Sequence, residues 1–325
     1  MGGLPEGGFG STRSLSMGKH RLGYVAQCLT LKIGASHTCR VANATPARLL
    51  DLIAQNLAEL EEILRFNENN GIHVFRVGSG LVPLASHPVN ELRWWNQFGR
   101  DFDKIGEIAR RSGQRLSMHP SPAGASLASA RPEVRRAAEK ELLYATRVLD
   151  MLGQGPEARV VLHVGGAAPD RTTAMDAAHR MLDALPDDAR RRIAVEHDDR
   201  TWSAREVFPL AREHGLPFLA DSLHNTVLPS DPVIPLDELF RMANATWLPL
   251  GLRPKHHLAS QKPDGPPGAH ADDIAPKDYR EAVAALEVPS DFMIEAKQKD
   301  LALFKLRRMH LELAKPRRAA QVSRV

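Results

Sequence analysis

The chain predicts a single α/β domain, a (β/α)8 TIM barrel with its active site at the C-terminal face of the strands. Three observations carry that expectation. Eight short apolar runs alternate with longer stretches of helical period. Repeated βα units imply parallel strands joined by right-handed crossovers. Eight such units in roughly 300 residues match the size of a closed barrel. No linker of changed composition and no repeat of fixed period interrupts the 325 residues. An open doubly wound sheet is the structural alternative.

The first run is residues 21–25 (RLGYV). Thr45 and Pro46 then supply an N-cap and a first helical residue. Leu49, Leu50, Ile53, Leu57, Leu60, Ile63 and Leu64 share one face of that helix, and Gly71 follows its stop. The next runs are residues 73–77 (HVFRV), 115–118 (RLSM), 159–163 (RVVLH) and 193–196 (IAVE). A second clear helix opens at Ser203-Ala204-Arg205-Glu206, a capping-box pattern, and ends at Gly215. The sixth run is 217–221 (PFLAD), the seventh 247–252 (WLPLGL) and the eighth 292–295 (FMIE). The seventh is the weakest, because Pro249 and Gly251 interrupt it.

Composition narrows the class. The chain is 43% hydrophobic and 25% charged, ordinary for a globular domain, and its 5% aromatic content argues against a broad base-stacking platform. No run approaches the ~18 apolar residues of a transmembrane helix. Residues 1–20 are Gly- and Ser-rich without a signal-peptide core, and read as a flexible extension with Met17 as an alternative start. Residues 21–314 form the barrel domain, and 315–325 a basic tail that reads as solubilising rather than as a DNA arm. Two cysteines, Cys28 and Cys39, cannot build a disulfide framework, so a reducing, cytoplasmic setting is expected. The net charge of +4, from 43 basic and 39 acidic residues, permits nucleic-acid binding without establishing it. Cations bound to acidic groups would raise the effective positive field.

The informative polar residues sit at strand ends. His119, His163, Glu196, Asp221 and Glu295 each close an apolar run, His224 lies three residues beyond Asp221, and His257 and His270 follow the seventh run. Taken singly, a strand-end histidine is satisfied by a loop carbonyl, and an aspartate caps the next helix. Five such ends together are a different matter. In a barrel they converge on one bowl, where uncompensated ionisable groups would desolvate and repel one another at heavy cost. Divalent cations resolve that conflict, and mixed imidazole and carboxylate donors suit zinc, manganese or iron better than calcium. Eight candidate ligands imply two or three ions, with Glu196 or another carboxylate bridging. Such a cluster is suited to phosphoryl transfer.

Particular strings extend the reading. Ser117-Met118-His119-Pro120, Val161-Leu162-His163-Val164-Gly165-Gly166 and Ala194-Val195-Glu196-His197-Asp198-Asp199 resemble those of the UV damage endonucleases. So do Asp221-Ser222-Leu223-His224, Pro254-Lys255-His256-His257-Leu258-Ala259-Ser260-Gln261, Gly268-Ala269-His270 and Ile294-Glu295-Ala296-Lys297. Leu22-Gly23-Tyr24, Ile63-Leu64-Arg65-Phe66-Asn67 and Ala85-Ser86-His87-Pro88 add to the likeness, which runs from about Arg21 to Lys297. That family is a TIM barrel related in site architecture to endonuclease IV, and nicks DNA immediately 5′ to a lesion by metal-activated hydroxide attack.

The resemblance implies three divalent ions, manganese first with zinc or magnesium as alternatives. One would be held by His119, His163 and Glu196, a second by Glu196, Asp221, His270 and Glu295, and a third by His224 and His257. Lys255 would lie nearby, carboxylated in the family or else an unmodified phosphate-binding lysine. Tyr24 and His87 would line the site, and Glu196 would be central to catalysis. Arg76 reads either as a neutraliser of phosphate charge or as a barrel-interior salt bridge. Damaged double-stranded DNA is the implied partner, with no membrane and no obligate protein partner.

Two departures bear on the lesion. Ser121-Pro122-Ala123 follow Pro120 where the family carries a damage-probing Gln-Tyr pair, and Cys28 stands where it tends to have asparagine. Trp94 and Trp95 read as a helix anchor, with a wedge into DNA as the sharper alternative. A metal-dependent sugar isomerase or epimerase on the same barrel, or a non-catalytic lesion-binding protein, are the competing functions.

Overall fold

Alternating side chains on eight short strands build the framework. The computed structural model describes residues 20–120, 126–129 and 131–313. Ser121-Pro122-Ala123, the expected extension before His20 and the basic tail lie outside the described residues. The strands are β1 (His20–Val25), β2 (Val74–Val77), β3 (Arg115–Met118), β4 (Arg159–His163), β5 (Ile193–Glu196), β6 (Phe218–Leu219), β7 (Lys255–Leu258) and β8 (Ser290–Ile294). All pair in parallel, in the order β6-β5-β4-β3-β2-β1-β8-β7. A parallel bridge between Asp221 and His257, with the His257 amide donating to the Ala220 carbonyl at 2.9 Å, brings β6 against β7 and closes the barrel.

Helices fill the crossovers: α1 (Pro46–Asn69), α2 (Trp94–Gln97), α3 (Gly99–Arg111), α4 (Pro132–Met151), α5 (Arg171–Ala184), α6 (Asp187–Arg190), α7 (Ala204–Glu213), α8 (Ser222–Val227), α9 (Leu236–Trp247), α10 (Pro276–Ala284) and α11 (Lys299–Leu313). None among the described residues is long and apolar enough to cross a membrane. Thr45 caps α1 by accepting from the Arg48 amide at 3.2 Å, and Ser203 and Glu206 form the capping box of α7. Trp94 is buried beside Phe102 and Tyr144, while Arg147 stacks 4.0 Å above Trp95. The pair therefore anchors α2 against α3 and α4.

The seventh strand departs from expectation. It lies at Lys255–Leu258, pairing with β8, whereas residues 247–250 end α9 and form a 3-10 helix closed by Gly251 at φ +69°. Pro249 could not have donated to a central ladder, and Lys255, His256 and His257 are all buried despite their polarity. Thus Lys255 and His257 belong to the strand itself, not to the loop after it. β1 begins one residue earlier than expected, at His20, so that residue belongs to the barrel and not to the extension.

Inward-facing positions sort into a floor and a rim. At the floor Asp291 is fully buried and accepts from Arg21 at 2.7 Å, Arg115 at 3.0 Å and Arg253 at 2.8 Å. Between floor and rim, β1 passes so close to β2 that a Cβ on Gly23 would meet the Val74 carbonyl at 2.4 Å. The rim carries the candidate metal donors.

Candidate metal centre

One carboxylate organises the rim. Glu196 ends β5 with its side chain buried in the barrel mouth. Its Oε2 lies 3.0 Å from His119 Nε2 and 3.1 Å from His163 Nε2. Its Oε1 lies 2.6 Å from His257 Nδ1 and 3.7 Å from His224 Nδ1. Glu295, the residue after β8, approaches His257 Nδ1 at 3.1 Å and His270 Nδ1 at 3.8 Å, and pairs with Arg76. Three groupings offer converging donors: His119, His163 and Glu196; Glu196, Asp221 and His224; Asp221, His257 and Glu295. A cavity of about 490 Å³ opens above them, walled by Arg76, His119, His163, His224, His270 and Glu295.

Neighbouring backbone sets the direction of each donor. Asp221 caps α8: its Oδ1 accepts from the amides of Leu223 at 2.7 Å and His224 at 2.8 Å. Its Oδ2 is buried with no hydrogen-bond partner, a costly placement for an anionic oxygen that meets no cation. The His119 Nδ1 donates to the Pro120 carbonyl at 3.0 Å, and the His224 Nδ1 to the His197 carbonyl at 2.9 Å. For His119 this turns Nε2 toward Glu196 in the bowl, the orientation that outer hydrogen bonds impose on ligating histidines. These buried nitrogen and oxygen donors fit divalent ions.

Electrostatics reports the same crowding. Burial opposes charge on Glu196, yet His257 and His163 hold its carboxyl well below the usual range. Burial raises Asp221, and the charges of Glu196 and Glu295 add to that rise against His224. For His224, burial is outweighed by Asp221, Glu196 and Glu295, which raise it to about 9. Burial, aided by Arg76, lowers His257 to about 3. Three carboxylates thus share one partly compensated pocket, and divalent cations would complete the compensation.

Four expected residues lie elsewhere or on the margin. Tyr24 turns outward: Val25 lines the cavity, so the preceding side chain faces the helices. There its hydroxyl donates to Asn67 Oδ1 at 2.8 Å, in the core and away from the bowl. His87 accepts from the Val89 amide at 3.0 Å and borders a separate groove with Trp94 and Trp95. Lys255 faces inward beneath His257; it is 1% exposed, with no hydrogen-bond partner for Nζ. Burial, then the charges of Arg115 and Arg76, push its pKa well below the lysine range. His270 stands at the rim. The geometry also groups His224 with Glu196 and Asp221, and His257 with Asp221 and Glu295, a different division from the expected His224–His257 pair. Arg76 makes the expected salt bridge, to Glu295, and its side chain also lines the cavity.

His197 carries a role that its position beside Glu196 did not disclose. Its Nε2 accepts from the Asp221 amide at 3.0 Å, its carbonyl accepts from His224, and its ring stacks on Phe218 at 5.7 Å. Burial lowers its pKa to about 3, so the ring is neutral. His197→Phe keeps the stacking ring and strands the Asp221 amide, a loss of about 1–3 kcal/mol. The lower part of that range is expected, because the buried, unpartnered Nδ1 disappears with it. Manganese affinity should fall about 10–100-fold. Chemical denaturation and a manganese titration check both numbers, and unchanged affinity would remove His197 from the support of the site.

Comparison with known proteins points to one family. The family described as UV-endonuclease UvdE matches residues 20–324. A UV DNA damage endonuclease of Bacillus velezensis is 32% identical over 261 residues, covering 79% of this chain and 81% of the relative. One of Bacillus pumilus is 31% identical over 301 residues, covering 89% and 93%. The crystal structure of SacUVDE superposes with a TM-score of 0.84 at 29% identity, over 91% of this chain and 100% of that one. Endonuclease IV from Thermus thermophilus shares the fold, with a TM-score of 0.58 at 16% identity over 90% and 100% of the two chains.

Proposed function

The chain belongs to the UV-endonuclease UvdE family, and from that premise we propose that it is a DNA repair endonuclease nicking damaged duplex DNA immediately 5′ to UV photoproducts or related lesions. The placement of Glu196 carries the reading. A single buried carboxylate within reach of His119, His163 and His257, with Asp221, His224 and Glu295 around it, supports a multinuclear metal centre. The three donor groupings suit up to three divalent ions, with His270 joining at the Glu295 side. Manganese is the first expectation, zinc or magnesium the alternatives. When bound, such ions generate a strong nucleophile from water at neutral pH and stabilise charge on the entering and leaving phosphate oxygens.

The remaining work falls to the chain. Glu196 joins the His119–His163 side to the His257 side through its two oxygens. Asp221 spends one oxygen on capping α8 and offers the other to the bowl. Arg76 balances Glu295 and, from the cavity wall, supplies a guanidinium to a non-bridging phosphate oxygen. Lys255 is too deep to meet a phosphate. With its charge disfavoured by burial and its Nζ unpartnered, its amine is suited to take up CO2, and a gain of one CO2 in native mass spectra, absent in Lys255→Ala, would register it. Tyr24 and His87 stand away from the bowl, Tyr24 in the core and His87 beside a separate groove. A DNA substrate is consistent with a cytoplasmic enzyme, nucleoid-associated if the cell is bacterial.

The test is a nicking assay with manganese-reconstituted protein on duplexes carrying a photoproduct, an abasic site or no lesion, with an EDTA control. Manganese-dependent cleavage 5′ to the photoproduct, leaving a 3′-hydroxyl and a 5′-phosphate, is the expected result. Cleavage confined to the abasic duplex would keep the chemistry and reassign the lesion. No cleavage by protein verified to hold its ions would overturn the proposal.

A further inference from the structure

His270 differs from the other donors in how it reaches the centre. The others stand on strands, beside their ends, or on α8, whereas His270 arrives on a loop that projects from the rim after β7. Residues 262–269 (KPDGPPGA) contain three prolines, which donate no backbone hydrogen bond. Such a loop has more carbonyls than amides to bind them. One side chain meets that shortage. Gln261 Nε2 donates to the carbonyls of Pro266 at 2.9 Å, Lys262 at 3.2 Å and Gly265 at 3.4 Å, while its Oε1 accepts from the Gly268 amide at 2.9 Å. Gln261 and His270 face each other as an isolated antiparallel bridge, and the Lys262 amide reaches the Ala269 carbonyl at 2.6 Å just inside it.

The loop is also docked from outside. Gly268, at φ +81°, lies so close to Asp199 that a Cβ there would sit 1.9 Å from the carboxylate oxygen. On the far side the Ala271 amide donates to the Ser260 carbonyl at 2.9 Å, and the Lys297 amide to the Ala271 carbonyl at 3.0 Å. His270 is thereby held with Nδ1 3.8 Å from Glu295. From this arrangement we propose that Gln261 is a positioning residue: its amide organises the proline-rich loop so that His270 is presented to the Glu295 side of the centre. The inference rests on the reading of His270 as a metal donor.

Gln261 is exposed and belongs neither to the cavity lining nor to the hydrophobic core, so its removal should leave the thermal midpoint nearly unchanged. Its effect should appear in metal binding. Manganese affinity is read by EPR titration of the wild type, Gln261→Ala, His270→Ala and the double variant, with nicking followed against manganese concentration. Gln261→Ala is expected to bind manganese about tenfold more weakly, the scale of an outer support of a ligand, with nicking restored at high manganese. In the His270→Ala background the same substitution should add nothing, because its path runs through the missing ring. If His270→Ala leaves manganese binding intact, the reading of His270 itself falls. If His270→Ala weakens binding while Gln261→Ala does not, or the two effects simply add, the positioning role falls and the reading of His270 stands.

Discussion

Glu196→Gln is expected to lower nicking by about a thousandfold or more, the scale reached when an enzyme loses a central electrostatic group. That corresponds to about 4 kcal/mol of transition-state stabilisation. Glutamine keeps the size and shape of the side chain, so packing against β4 and β6 survives. The lost charge is what matters. Both oxygens of Glu196 engage histidines on opposite sides of the bowl, and a neutral amide cannot bridge cations between them. One of its two ends would also present N–H donors where an acceptor is required. Folding stability should fall as well, since the histidines that hold the Glu196 carboxyl below its usual range lose the charge that they face. Single-turnover nicking of a lesion duplex, paired with a manganese titration, measures both sides of this expectation. Near-normal cleavage by the folded variant would sink the assignment of Glu196 as the bridging group.

Asp291→Asn should destabilise the fold by about 3–5 kcal/mol, the usual cost of removing one member of a buried ion pair. The floor of the barrel gathers Arg21, Arg115 and Arg253 around this one carboxylate, and Arg115 is itself buried. An amide in its place leaves guanidinium charge without its counterion. Burial opposes ionisation of Asp291, but hydrogen bonding and charge from Arg21, with Arg115 and Arg253, hold its pKa below the ordinary value. The pH dependence follows. With a folded pKa beneath the unfolded value of about 3.9, the stabilisation is complete above that value and is lost as pH falls through the folded one. Denaturant unfolding of wild type and variant at neutral and acidic pH should show two curves converging toward low pH. A constant gap, or a loss below about 1 kcal/mol at neutral pH, would mean that the arginines find other partners.

Much of this was legible in one dimension. Apolar runs of four or five residues end in His163 and Glu196, and His119 follows β3 directly. Because side chains alternate along a strand, the last inward position of each run necessarily points into the bowl. The same alternation turns Tyr24 away from the bowl: Val25 takes the inward direction, leaving Tyr24 to the helices. β7 departs from the apolar pattern for a related reason. Its sequence KHHL places a lysine and a histidine inside the barrel, so hydropathy ceases to mark the strand where the interior itself is polar. The apolar segment at 247–252 then took its place, although Pro249 and Gly251 forbid a ladder there.

The barrel, the strand-end donors and the family strings could all be read from the order of residues, because periodicity and capping are local and need no partner segment. Other features came only with the folded chain: which donors share a group, the support that His197 gives Asp221 across 24 positions, and the balance of Asp291 against three arginines from different segments. The depth of Lys255 beneath the bowl and the grip of Gln261 on the loop carrying His270 belong with these. Each depends on distances between strands and loops remote in sequence. They follow from the closure of β6 on β7 and from the register of each strand on its neighbour, which no single segment contains.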